Sequence, residues 1–89
     1  MKRHPAIPLF KLLGVPQRLV VFQRVARRPS TASELARELP ISRSAVVQHL
    51  TELRRHGLVD ATSEGRNRYY RATRAGLAPL REWLETYGK

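Results

Sequence analysis

The stretch Ile41–Gly57, ISRSAVVQHLTELRRHG, decides the fold, because it carries the signals of one helix with a defined start and end. Ser42 is a favourable N-cap, since its hydroxyl can accept an amide proton from the first turn. Gly57 suits the position after the last turn, where a left-handed backbone conformation costs glycine little. The sequence therefore predicts a single helix between these two residues.

One side of this helix is apolar and the other is polar, at about 100° of rotation per residue. The first side carries Val46, His49, Leu50 and Leu53. The opposite side carries Ser44, Val47, Gln48, Thr51 and Arg55. The first side can pack on a small core, with His49 beside the stripe. The second side has no acidic residue, so it can enter a DNA major groove and present hydrogen-bonding groups to base edges.

A second, shorter helix precedes it. Thr31 and Glu34 form a capping box, in which each side chain can bond the other residue's backbone amide. A helix over Ala32–Leu39 is expected to follow, and Pro40-Ile41-Ser42 is the turn into the helix described above. Two helices joined by such a short turn form a helix-turn-helix, here over residues 31–57, in which the second helix is the recognition candidate.

The periodicity changes after Gly57. Leu58–Ser63 and Arg66–Ala72 have the composition of two strands, with Glu64-Gly65 at the turn between them. The predicted hairpin, residues 58–72, is a wing. Arg66 and Arg68 can then lie along DNA phosphates or reach into the adjacent minor groove, or they can simply keep the hairpin soluble.

Helices are predicted on both sides of these elements. A basic extension over residues 1–7 leads to a short helix after Pro8, and Pro16 suits the first position of a helix over Pro16–Arg27. Within that central helix we expect an inward stripe of Leu19, Phe22 and Ala26, which is widened by Val15, Val20, Val21 and Val25. We expect its exposed side to be marked by Arg18, Arg24, Arg27 and Arg28. The last helix, within residues 74–88, should start near Leu77 or Ala78, because Pro79 is tolerated only in a first turn.

The bulk composition narrows the class of partner. Eighty-nine residues allow one small domain, and 17 Lys and Arg against 7 Asp and Glu give a net charge of +10. Such a charge suggests a polyanionic partner, although GC-rich codon usage can also inflate the arginine content. There is no cysteine, and no apolar run approaches the roughly 20 residues that span a bilayer. Pro5, Pro8 and Lys11 interrupt the apolar stretch at the N-terminus that would otherwise resemble a secretory signal, so we expect a cytoplasmic protein. No catalytic set is visible, so we expect that the protein is not an enzyme.

The order of elements resembles the winged helix-turn-helix domain of the ArsR/SmtB family of bacterial repressors. The resemblance rests on SELARELPISRSAVVQHLTELRRHGLV, Ser33–Val59, followed by EGRNRYYRAT, Glu64–Thr73. The segment FKLLGVPQR, Phe10–Arg18, is also similar, although Val15 stands where the family usually has Asp. The resemblance implies a fold that is mainly α with a small β-hairpin, and a homodimer that binds operator DNA and represses transcription.

The resemblance also implies that the first and last helices form the dimer interface. This agrees with the apolar residues at both ends of the chain, which we expect to be buried against another surface such as a partner subunit. The expected interface residues are Leu9, Phe10, Leu13, Leu77, Leu80, Trp83, Leu84 and Tyr87. The alternative for Trp83 is that it packs in the core of its own chain and not at the dimer interface.

The metal sites of the family do not carry over. The region of the thiolate site, Thr31–Ala36, has no cysteine, and the last helix offers only Glu82 and Glu85 without histidine. We therefore expect no cofactor and no metal. A metal-responsive repressor that uses His4, His49 or His56 is an alternative.

The candidate DNA contacts lie on the recognition helix and the wing. They are Ser42, Arg43, Ser44, Val47, Gln48, Thr51, Arg55, Arg66 and Arg68. Gln48 suits adenine and Val47 a thymine methyl group, whereas an ordinary solvated helix face is the alternative for both. A winged-helix module for protein–protein interaction is the alternative function. Operator and effector cannot be inferred from the sequence.

Overall fold

The computed structural model describes residues 3–89, and within them the chain forms five α-helices and one antiparallel hairpin. The elements are α1 (Ile7–Leu13), α2 (Pro16–Arg27), α3 (Ala32–Glu38), α4 (Arg43–Arg55), β1 (Val59–Glu64), β2 (Asn67–Ala72), a 3₁₀ turn (Arg74–Leu77) and α5 (Ala78–Tyr87). The winged helix-turn-helix fold predicted from the sequence is confirmed. The first two residues of the predicted basic extension, residues 1–7, lie outside the described residues.

The predicted helix caps around the helix-turn-helix are present. The Thr31 Oγ1 accepts from the Glu34 amide at 3.1 Å, and the Glu34 carboxylate accepts from the Thr31 amide at 3.0 Å. The Ser42 Oγ accepts from the Ala45 amide at 3.2 Å. Gly57 follows α4 with a φ of 77°, the left-handed conformation for which glycine was predicted. These local bonds set the ends of α3 and α4.

The recognition helix α4 is the centre of the core. Its Val46, Leu50 and Leu53 are all fully buried. They belong to one core cluster with buried residues of α1, α2, α3 and the two strands. These partners are Leu12, Val21, Phe22, Val25, Leu35, Leu58, Val59 and Tyr70. Each fully buried aliphatic side chain of this kind contributes about 1.5–3 kcal/mol. Because α4 packs against α2, α3 and β1, only its polar side remains in solvent.

The prediction for the inward face of α2 was partly wrong. Val21, Phe22 and Val25 form the buried face, whereas Leu19 is 37% exposed. Arg24, expected in solvent, keeps only 12% of its side chain exposed. The helix is apolar over much of its circumference, so periodicity alone does not show which side meets the core.

The wing consists of β1, β2 and a two-residue turn. The strands pair from Val59 opposite Ala72 to Glu64 opposite Asn67, so the turn residues are Gly65 and Arg66. Gly65 has a φ of 62°, which is the requirement of a type II′ hairpin turn at its first position. The turn is therefore one residue later than predicted.

The two ends of the chain pack against each other through α1 and α5. The rings of Phe10 and Trp83 meet edge to face with centroids 5.0 Å apart, and Tyr87 lies 5.2 Å beyond Trp83. Phe10, Leu84 and Tyr87 remain 44%, 57% and 64% exposed. Leu9, expected at a dimer interface, is instead buried in the core of its own chain, because it faces inward from the short helix α1. In the part of the chain described, no helix is long and apolar enough to cross a bilayer.

Candidate nucleic-acid interface

The solvent side of α4 carries the residues predicted to read bases. Ser44, Gln48 and Thr51 are exposed, and Val47 is 37% exposed between them. The Thr51 hydroxyl donates to the Val47 carbonyl at 2.8 Å. Its proton is therefore used within the helix, and its oxygen is left to accept hydrogen bonds. A threonine in this state suits a base donor such as the amino group of adenine or cytosine.

The start of α4 is tied to α3 by a side-chain hydrogen bond. The Arg43 Nε donates to the Ser33 Oγ at 3.1 Å. Within residues 3–89 the two terminal nitrogens of Arg43 have no hydrogen-bond partner, so they remain available to an anion. Ser42 caps the helix, and its hydroxyl lies 3.3 Å from that of Ser44.

A groove of about 450 Å³ separates the helix-turn-helix from the wing. Its charged lining consists of four arginines and one glutamate: Arg37, Arg43, Arg66, Arg68 and Glu34. The Glu34 carboxylate is occupied by the capping box, and hydrogen bonds from Thr31 hold its pKa below the usual value. The groove is therefore a site for an extended anion, and it opens beside Val47 on the reading side of α4.

The two wing arginines occupy different places. Arg66 is in the turn at the tip, whereas Arg68 lies over the ring of Tyr70, with its guanidinium carbon 5.5 Å from the ring centroid. Arg68 also lines a second groove, of about 250 Å³, together with Thr51, Arg54 and Arg55 of α4. Both positions suit backbone phosphates, that of Arg68 beside α4 and that of Arg66 at the tip of the wing.

Arg55 lies at the far end of α4, where it pairs with Glu52 at 2.9 Å. Its side chain is 68% exposed. An exposed pair of this kind is worth at most about 1 kcal/mol, so a phosphate can displace Glu52 at little cost.

His49 occupies a partly buried position between α4 and α2. Its Nε2 lies 3.4 Å from the Gln17 Oε1, and its Nδ1 is buried without a hydrogen-bond partner among residues 3–89. Burial lowers the pKa of His49, and the charge of Arg18 lowers it further. Such an imidazole stays neutral at pH 7 and acts as a packing group, which fits the predicted place beside the core stripe.

The structure groups most of the predicted site residues around the two grooves. Arg43, Val47, Arg66 and Arg68 line the first groove, and Thr51, Arg55 and Arg68 line the second. Gln48 lies beside Val47 and Thr51 along the outer surface of α4, whereas Ser42 and Ser44 line neither groove. Over residues 3–89, no three His, Asp or Glu side chains come close enough to hold a metal ion.

Sequence reasoning missed Ser33 and Arg37. Both lie on α3 and line the first groove, and Ser33 holds Arg43. Their spacing of four residues, which places them on the same side of a helix, was the available signal.

A helix-turn-helix whose recognition helix exposes Ser44, Gln48 and Thr51, with an arginine-bearing hairpin beside it, defines a winged helix-turn-helix protein. Residues 13–61 match a family model described as a helix-turn-helix domain. The chain resembles a solved ArsR-like transcriptional regulator from Rhodococcus sp. RHA1, with a TM-score of 0.81 and 36% identity, covering 91% of this chain and 76% of that one. The chain belongs to the ArsR family of winged helix-turn-helix transcriptional regulators.

Two curated relatives agree with this assignment. The chain is 41% identical over 70 residues to the HTH-type transcriptional regulator Rv2034 of Mycobacterium tuberculosis, covering 79% of this chain and 65% of that protein. It is 30% identical over 79 residues to the transcriptional activator HlyU of Vibrio cholerae, covering 89% of this chain and 73% of that protein. The match thus spans slightly less than two thirds of the mycobacterial regulator.

Proposed function

We propose that this chain is a sequence-specific regulator of transcription that binds double-stranded operator DNA as a homodimer. One observation carries the proposal. The polar side of α4, with the uncharged Ser44, Gln48 and Thr51, runs beside a groove whose charged lining is four arginines against one glutamate. A reading surface next to a phosphate-binding surface is what a DNA-binding module requires.

The reading surface consists of Ser44, Val47, Gln48 and Thr51. Gln48 can bond the N6 and N7 of adenine together, and Val47 can contact a thymine methyl group. Thr51, whose proton is used within the helix, accepts from a base amino group. These contacts supply the sequence specificity of DNA binding.

The phosphate-binding surface consists of the arginines around the grooves. Arg43 and Arg68 are held in place by Ser33 and Tyr70, so they lose little freedom on binding. The α4 helix start, which Ser42 caps, adds backbone amides and a favourable dipole for a phosphate beside Arg43. Arg66 extends the surface from the wing tip. These contacts supply most of the affinity.

The exposed apolar residues of α1 and α5 support the dimer. The rings of Phe10 and Tyr87 both contact Trp83, and Leu84 follows Trp83 on the same helix. Phe10, Leu84 and Tyr87 are exposed large apolar side chains, which favours an interaction surface here. A two-fold axis through this patch places two recognition helices about 34 Å apart, in successive major grooves of a pseudo-palindrome.

Repression is the expected regulatory outcome, because a dimer bound across a promoter excludes the polymerase. The similarity to HlyU, which is named a transcriptional activator, makes activation the alternative outcome. The DNA-binding step is the same for repression and for activation.

The salt dependence of binding tests the proposal. A dimer that makes about 6–10 phosphate contacts should lose roughly 10³–10⁵ in affinity for duplex DNA between about 50 and 200 mM salt. Fluorescence anisotropy with a labelled random duplex measures this. Binding that does not respond to salt contradicts the mechanism, and no binding at low salt favours the alternative of a protein-interaction module.

A further inference from the structure

Arg24 lies at the centre of a polar cluster that the DNA-binding site does not include. Its Nη2 donates to the Glu38 Oε1 at 3.0 Å, while its Nε donates to the Glu38 Oε2. The pair is bidentate, which is the strongest geometry for an arginine and a carboxylate. It joins the last turn of α2 to the last residue of α3. Arg28 adds a bond to the same carboxylate at 3.1 Å.

The third nitrogen of Arg24 reaches the segment between α2 and α3. Its Nη1 donates to the Ser30 Oγ at 3.0 Å, and that hydroxyl donates to the Arg28 carbonyl at 3.2 Å. Ser30 is fully buried. The guanidinium is planar and all three of its nitrogens are engaged, so it cannot turn without breaking several bonds at once.

Ser30 in turn holds the root of the wing. Its amide donates to the Tyr70 carbonyl at 3.0 Å, and the Tyr70 amide donates to the Ser30 carbonyl at 2.8 Å. This pair is an isolated β-bridge, so Ser30 acts as a one-residue third strand beside β2. A two-stranded hairpin alone is marginally stable in water, so such an attachment matters for its orientation.

Tyr70 carries the wing arginine. The ring of Tyr70 lies beneath the Arg68 guanidinium, and both residues line the second groove beside α4. Glu38, Arg24, Ser30 and Tyr70 thus form a continuous chain of contacts, the wing anchor. It runs from the first helix of the helix-turn-helix to the arginine that faces DNA.

We propose that Arg24 is a positioning residue for DNA binding, which through the wing anchor fixes where Arg68 lies relative to the recognition helix. The inference rests on the proposed function, because it assigns Arg24 a part in the same DNA contact. Arg24 itself lies on α2, and its hydrogen bonds within residues 3–89 go to Glu38 and Ser30 and not to the predicted reading surface. Without Arg24, the buried Ser30 hydroxyl loses a donor and the carboxylate of Glu38 loses two, so the cluster no longer favours one wing orientation.

Two variants and one matched control test this. Arg24→Gln removes the centre of the cluster, and Glu38→Gln keeps the shape of its partner while weakening the bidentate pair. Arg27→Gln is the control, because it removes the same charge from an exposed position of the same helix. Each is made with and without Arg68→Ala. DNA affinity is measured for all of them, and amide hydrogen exchange is measured for Tyr70 and for Leu50 in the core.

We expect the affinity penalty of Arg68→Ala to shrink at least about threefold in the Arg24→Gln and Glu38→Gln backgrounds, and to stay unchanged in the Arg27→Gln background. The Tyr70 amide should exchange about tenfold faster relative to the Leu50 amide, because the wing root opens locally while the core stays closed. If Arg24→Gln does not fold, Glu38→Gln decides the question.

An unchanged Arg68→Ala penalty, or Tyr70 and Leu50 amides that accelerate equally, would overturn the inference, since Arg24 would then only stabilise the fold. If Arg68→Ala has no effect on DNA affinity in the otherwise unaltered protein, the proposed phosphate contact of Arg68 is wrong. In that case the exchange of the Tyr70 amide alone decides whether Arg24 holds the wing.

Discussion

Arg43, the first residue of α4, is held by Ser33 of α3 through a 3.1 Å hydrogen bond from its Nε. The bond crosses the turn of the helix-turn-helix. It fixes the inner nitrogen of the guanidinium, and the two outer nitrogens are left to meet DNA. In the proposed DNA complex the two helices therefore share one phosphate contact, although only one of them carries the arginine.

The Ser33–Arg43 bond predicts coupled effects on DNA affinity. Ser33→Ala should weaken binding by about 0.5–1.5 kcal/mol, roughly 2- to 12-fold, because Arg43 must then be ordered on binding. In an Arg43→Ala background the same change should have almost no effect. A double-mutant cycle in one buffer measures this. An equal loss in both backgrounds would mean that Ser33 contacts DNA by itself.

Gln48 is predicted to control specificity. Gln48→Ala should narrow the affinity gap between the operator and random DNA by about 1–3 kcal/mol, because a bidentate adenine contact is lost. Arg66→Ala is the comparison, and it should weaken both complexes equally while reducing the salt slope by about 1. Paired titrations on the two duplexes distinguish these outcomes. If Gln48→Ala weakens both duplexes equally, Gln48 contacts only the backbone.

Leu84 is predicted to hold the dimer together. Leu84→Glu places a charge in the exposed apolar patch next to Trp83, so the dimer should dissociate at micromolar concentration while the monomer stays folded. Thr86→Glu adds the same charge to the same helix outside the apolar stripe, and it should leave the dimer intact. Sedimentation velocity measures both variants. A Leu84→Glu protein that sediments like the unaltered dimer would exclude this patch as the interface.

His49 is predicted to make stability decrease as the pH falls below 6.5. Burial and Arg18 lower the pKa of His49 below its usual value of 6.5, so the unfolded chain binds the proton more readily than the folded chain. The contribution of neutral His49 to the free energy of unfolding is therefore fully present above pH 6.5 and decreases as the pH drops through that value. Hydrogen bonds hold the pKa of Glu34 and Glu38 below 4.5, so their contributions are lost only at lower pH.

The measurement is the denaturation midpoint at pH 7.5 and 5.5. His49→Gln should flatten the difference, because glutamine does not titrate and can still bond Gln17. His56→Gln, at the exposed end of α4, should preserve it. The same pH dependence in His49→Gln would show that another group carries it.

The elements with local signals were predictable from the sequence. Ser42, Thr31 with Glu34, and Gly57 mark helix ends through bonds or backbone angles that involve only nearby residues. These signals fixed α3, α4 and the wing that follows. Pro79 likewise placed the start of α5 within one residue.

The side chains that depend on tertiary packing were not predictable. Arg24 was expected in solvent because it is charged, but Glu38, 14 residues further along the chain, draws it into the fold. Leu19 was misplaced because apolar residues surround α2, and only tertiary packing decides which of them are covered. Arg68 was expected to act with Arg66, but Tyr70 holds it beside α4.

Selection of bound sequences from a random duplex pool tests the central claim, that two recognition helices read DNA as a two-fold pair. We predict an inverted repeat whose half-sites lie about 10–10.5 base pairs apart, centre to centre. When Gln48 is replaced by Ala, one position in each half-site should lose its base preference. Enrichment of a single, unrepeated half-site, or of no sequence at all, would contradict the account.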